Sequence, residues 1–91
     1  MEKLRKEVQS LKLARRSVRP DSIHSLLTRA GFARRAGRGD HWIYTHELYP
    51  GILTIDPRRP HLLPVYVGKA IGAIETVMSA QEVAEDDDDN G

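Results

Sequence analysis

Glycine and proline divide the middle of this chain too finely for helix. Gly31, Gly37 and Gly39 come close together, Pro50-Gly51 follows, and Pro57, Pro60 and Pro64 end the stretch. Between these residues only short segments remain, and "FARRAGRGDHWIYTH" and "YPGILTID" suit strands joined by turns. A strand, a glycine turn and a second strand are expected over residues 32–46, with Pro50-Gly51 as the next turn and "ILTI" as the third strand. Within the second strand Trp42 and Tyr44 share one face, Ile43 and Thr45 the other.

Helices are expected on both sides of this region. In "EKLRKEVQSLKLARR", residues 2–16, Leu4, Val8 and Leu11 form a narrow apolar stripe with Ala14 beside it. Such a stripe serves either an accessory layer or a partner. Pro20 suits the start of a second helix. In that helix Ile23, Leu26, Leu27 and Ala30 recur at helical spacing, and Gly31 stands where a C-terminal glycine belongs. The last helix covers about residues 65–80, with Val67, Ala70, Ile71, Ile74, Val77 and Met78 in phase. The expected fold is α+β: an αβββα unit, its three-stranded antiparallel sheet covered by helices on one face, plus an extra N-terminal helix. The expected organisation is an accessory helix over 1–17, a core domain over 18–80 and a disordered acidic tail over 81–91.

The charge is split along the chain. All 14 Lys and Arg lie in residues 1–69 against six acids, a balance of +8, while residues 81–91 hold six acids and no base. A basic body of this kind points to a polyanionic partner, with nucleic acid the leading class. The tail either stays unfolded or folds back over the basic face. With no cysteine, disulfides and thiolate zinc sites are excluded, and a cytoplasmic location is expected. No apolar run is long enough to span a bilayer.

The chemistry concentrates in "RRAGRGDHW". His41 is the candidate acid–base residue, since imidazole titrates near neutral pH. Its competing reading is a surface histidine at a strand start. Arg34, Arg35 and Arg38 flank the turn and suit phosphate oxygens, or simply a solvated strand edge. Gly39 allows close approach of a backbone phosphate. Arg58 and Arg59 form a second basic pair in the proline loop. Trp42 and Tyr44 suit base stacking, although in so small a chain at least one of them belongs to the core. His24, His41, His46 and His61 with Asp40 are possible metal ligands in a spacing that matches no metal motif, so no metal or other cofactor is expected.

These stretches resemble the HicA-type toxins of bacterial toxin–antitoxin systems. "IHSLLTRAGF" is similar to that family's first core helix, "RRAGRGDHWIY" to its strand–turn–strand with a Gly-Ser/Thr-His motif, "GILTID" to its third strand and "LLPVYVGKAIGAIE" to its closing helix. Asp40 departs from the motif, where Ser or Thr is usual. The resemblance implies a fold like the double-stranded RNA-binding domain. It also implies metal-independent cleavage of messenger RNA with His41 as general acid/base, and a HicB-like antitoxin as protein partner. In this reading Arg34, Arg35, Arg38, Gly39, Arg58, Arg59 and Lys69 contact RNA. The alternative is a non-catalytic RNA-binding or antitoxin-binding domain of the same fold.

Overall fold

In the chain's N-terminal half two helices form where the apolar spacing predicts them. The computed structural model describes residues 2–89, with side chains described as far as Val83. Helix α1 spans Glu2–Leu13, α2 Pro20–Arg29 and α3 Pro64–Asp89, and strands β1 (Ala33–Ala36), β2 (Trp42–His46) and β3 (Tyr49–Ile55) lie between α2 and α3. Pro20 occupies the first turn of α2, where its missing N–H costs no helical bond. Gly31, at φ 97°, turns the chain out of the helix after Ala30.

The strands form one antiparallel sheet in the order β1-β2-β3. Arg34 pairs with Tyr44, Ala36 with Trp42, and Tyr44 with Leu53. Alternation therefore aims Arg34, Trp42, Tyr44, Leu53 and Ile55 at the helices, and Arg35, Ile43, Thr45 and Thr54 at the open face. The helix-facing set meets Ile23, Leu26 and Leu27 of α2 and Val67, Ile71, Ile74 and Val77 of α3 in a single core. An α+β fold of the αβββα type, with the helices on one face, is the architecture.

The α1 stripe packs rather than waiting for a partner. Val8 enters the common core and Leu4 and Leu11 lie against it. Lys12 pairs with Glu75 at 3.0 Å, Arg29 with Glu7 at 2.6 Å, and Arg5 with Glu82, so α1 is tied to both other helices. The core therefore runs across residue 17 without a boundary.

Two expectations are corrected. The β2–β3 turn falls at Glu47-Leu48, and Pro50-Gly51 lie inside β3. The reason is local: the His46 ring accepts the Leu48 N–H at 3.0 Å and closes the turn early. Tyr49 is then held edge-on to Phe32, with centroids 5.8 Å apart. Proline is tolerated there because β3 is an edge strand. The second correction concerns the tail. Helix α3 continues to Asp89 instead of ending near residue 80, and the Arg5–Glu82 pair ties the start of this continuation to α1. Residues 90 and 91 of the expected tail lie outside the described residues. No described helix is long and apolar enough to cross a membrane.

Candidate functional site

The β1–β2 connection is built by two glycines. His41 N–H donates to the Arg38 carbonyl at 3.2 Å, and Gly37 N–H donates to the His41 carbonyl at 2.9 Å. Gly39 has φ 58°, while among the described residues no non-glycine residue has positive φ. A left-handed residue followed by an ordinary one is the type II′ pattern, whose twist suits a hairpin. Gly37 is required for a different reason. A Cβ there would lie 2.8 Å from Ile43 Cγ1 and 3.1 Å from the His41 carbonyl oxygen.

This turn also fixes the His41 ring. Its Nδ1 lies 3.1 Å from the Arg38 carbonyl oxygen, which only accepts, so Nδ1 carries the proton of that hydrogen bond. In the neutral ring Nε2 is then the unprotonated nitrogen, able to take a proton from a ligand. His41 lines an open cleft of 320 Å³ with Ala36, Gly39, Asp40, Trp42, Pro57 and Arg59. Asp40 is exposed, and among the described residues it enters no ion pair.

The residues expected to bind RNA do not converge on one place. Gly39 and Arg59 line the His41 cleft, and Arg38 lies in its turn. Arg59 also reaches Asp21 at 3.4 Å, and Arg58 is paired with Asp56 at 3.0 Å. Arg35 is exposed opposite Ile43 on the open face. Arg34 is turned the other way, its guanidinium 4.8 Å from the centre of the Trp42 ring. Lys69 stands over Tyr66 at 5.5 Å and lines a separate groove with Tyr49, Ile52, Thr54, Gly72 and Thr76. Lys69 thus does not border the His41 cleft.

The two aromatic residues of β2 divide the roles the sequence allowed them. Tyr44 is fully buried in the core, whereas Trp42 is half-buried and borders the cleft. Behind Trp42 lies a cluster that sequence reasoning missed. The Tyr44 hydroxyl is 2.9 Å from His24 Nδ1, and the His24 ring meets Trp42 edge-on at 5.8 Å. Burial pushes the Tyr44 phenol up to about 12, against the opposing pull of the Arg34 charge and hydrogen bond. His24 Nδ1 is the one hydrogen-bond acceptor that the buried phenol meets among the described residues, so the phenol proton goes to it. Burial pushes the His24 imidazole below its ordinary value, Arg34 adds to that, and Asp21 partly opposes it. The one available signal was the position of His24 at the flank of the Ile23–Leu27 face.

The other histidines stand apart. The His46 ring packs on Phe32 at 5.0 Å, its Nδ1 accepts the Leu48 N–H, and it does not line the His41 cleft. His61 is exposed in the proline loop. Among the described residues no three His, Asp or Glu side chains are grouped to hold a metal ion, so the four histidines and Asp40 form no ligand set. No family model, no curated protein and no solved structure matches this chain.

Proposed function

We propose that the chain is a HicA-type endoribonuclease, the toxin of a type II toxin–antitoxin pair, with His41 as its acid–base residue. The observation that carries this reading is the hydrogen bond from His41 Nδ1 to the Arg38 carbonyl, which leaves Nε2 basic in an open cleft beside Arg59. The αβββα architecture, the basic body and the resemblance of the hairpin to the Gly-Ser/Thr-His motif support it.

In the proposed reaction, Nε2 takes the proton of a ribose 2′-hydroxyl. The 2′-oxygen bonds to the adjacent phosphorus, and the bond from phosphorus to the 5′-oxygen of the next nucleotide breaks. A 2′,3′-cyclic phosphate forms, and solvent in the open cleft protonates the departing 5′-oxygen. Arg59, with Arg38 from the turn, offsets the charge growing on the phosphoryl oxygens. The 2′-hydroxyl restricts this chemistry to RNA, and no step calls for a metal. A HicB-like antitoxin would be the protein partner that blocks it.

The test is incubation of purified protein with single-stranded RNA in excess chelator. Cleavage by the wild type and none by His41→Ala, with matching circular dichroism spectra, is the expected result. Equal cleavage by both proteins overturns the reading. One feature favours the second reading, a domain that binds RNA without cutting it: the Asp40 carboxylate borders the same cleft and repels phosphate. Salt-dependent RNA binding without cleavage would select it.

A further inference from the structure

Asp40 is the residue that a phosphate site leaves unexplained. It is an acceptor-only side chain, exposed and outside the ion pairs of the described residues, in a cleft otherwise suited to anions. A phosphate would be repelled by it, whereas a group presenting N–H donors would be held. Beside it stands an aromatic surface. The Trp42 indole is braced from the helix side by the Arg34 guanidinium at 4.8 Å and by the edge of His24 at 5.8 Å. In the cleft it is bordered by the Ala36 methyl, its partner across the β1–β2 ladder, and by Pro57. Small apolar neighbours leave room for a flat ring against the indole. At 320 Å³ the cleft is near the small end of ligand sites, of about 300 to 1,000 Å³.

We propose that Trp42 and Asp40 form a subsite for an unpaired guanine base next to the phosphate handled by His41. This rests on the endoribonuclease reading and names the base that reading would select. Trp42 supplies the stacking surface, as aromatic side chains do for single-stranded nucleic acids. Asp40 supplies the selection. The Watson–Crick edge of guanine carries two adjacent donors, N1–H and the N2 amino group, which match the two carboxylate oxygens. Adenine and cytosine present one amino donor next to an acceptor nitrogen, and uracil presents one imino donor between two carbonyls. Each of these opposes a carboxylate with at least one acceptor. Pairing in a duplex occupies the guanine edge, so the site takes only unpaired bases.

Trp42 is the sole tryptophan, so its fluorescence reports occupancy. The experiment titrates wild-type protein at one fixed salt concentration with the 2′-O-methyl trinucleotides UGU, UAU, UCU and UUU, which lack the attacking hydroxyl. The expected result is quenching by UGU at a Kd at least about tenfold below those of the other three, in line with one bidentate base contact. Asp40→Asn and Asp40→Ala, each checked for an unchanged circular dichroism spectrum, should lose this preference and keep the weaker binding of UUU. UGU held in a longer duplex opposite its complement ACA should not quench. Equal affinity for all four trinucleotides, or a guanine preference that survives both substitutions, overturns the subsite. If either occurs while RNA is still cleaved by the wild type and not by His41→Ala, only the subsite falls. If wild-type protein neither binds nor cleaves RNA, both proposals fall.

Discussion

His24 and His41 both neighbour Trp42 and are held in opposite tautomers. The Nδ1 of His24 faces a buried phenol that donates to it, so its Nε2 carries the proton. The Nδ1 of His41 faces a carbonyl that can only accept, so its Nε2 is the bare nitrogen. His24 is half-buried between α2 and the sheet, and burial together with Arg34 pushes its imidazole below the ordinary value. His41 is carried on a turn at the end of the sheet and borders open space. The choice of partner for one ring nitrogen thus separates a histidine that holds the fold from one equipped for proton transfer.

That contrast predicts a crossed pair of phenotypes, and these are the largest effects. His41→Ala should reduce RNA cleavage by about 10² to 10⁴-fold, the range of general acid–base help, and leave thermal melting unchanged. His24→Ala should do the reverse, lowering the melting temperature while cleavage measured well below it stays within a few-fold. A large loss of cleavage in His24→Ala would break the division. Next in size is Gly37→Ala. The added methyl group would press on Ile43 and on the His41 carbonyl, so about 1 to 3 kcal/mol of stability should be lost in urea denaturation. Cleavage should fall as well, because the same carbonyl closes the turn that holds His41.

Tyr44→Phe sharpens the comparison from the other side. It removes the donor to His24 and nothing of the core volume, and should cost about 0.5 to 1.5 kcal/mol. The same pair sets the smallest effect, a pH dependence at both ends of the range. The His24 value is lower in the folded chain than its ordinary 6.5, so the unfolded chain binds more protons below that pH. Its contribution to stability is therefore full above 6.5 and is lost as the pH falls below it. Tyr44 acts in the opposite direction. Its folded value of about 12 exceeds the ordinary 10.0, so its contribution is full below 10 and is lost as the pH rises toward 12. Urea denaturation across this range should show both declines, with His24→Gln flattening the acid one and Tyr44→Phe the alkaline one.

The helices were legible because their evidence is repeated. Ile23, Leu26, Leu27 and Ala30, and six positions of α3, recur at helical spacing, and all of them are buried. The β1–β2 turn was legible for a different reason, since two closely spaced glycines leave the backbone few alternatives. The β2–β3 turn was misread because its cause is one side chain, the His46 ring accepting the Leu48 N–H, which no local propensity encodes. Helix α3 runs past its apolar pattern, and Arg5 of α1 meets Glu82 at the start of that extension. At the site, Gly39 and His41 were legible as one turn and Arg59 only as part of a separate basic pair, while Lys69 lines another groove and Arg34 and Trp42 face the helices. Whether an arginine of β1 faces the helices or the open sheet depends on register, and register is a property of two strands.

By itself the sequence determined the order of elements, the apolar faces of α2 and α3, the glycine turn and the presence of His41 at its end. Each of these follows from residues close together in the chain, whose spacing and backbone freedom act locally. Only the tertiary structure decided that α1 joins the core, that Arg34 braces Trp42 and that His24 receives the Tyr44 proton. It likewise brought Arg59 and Pro57 to the His41 turn and left Lys69 elsewhere. These contacts join residues separated in the chain, and they arise because burying the apolar faces of the three helices on one side of the sheet brings those residues together, where buried polar groups must find partners.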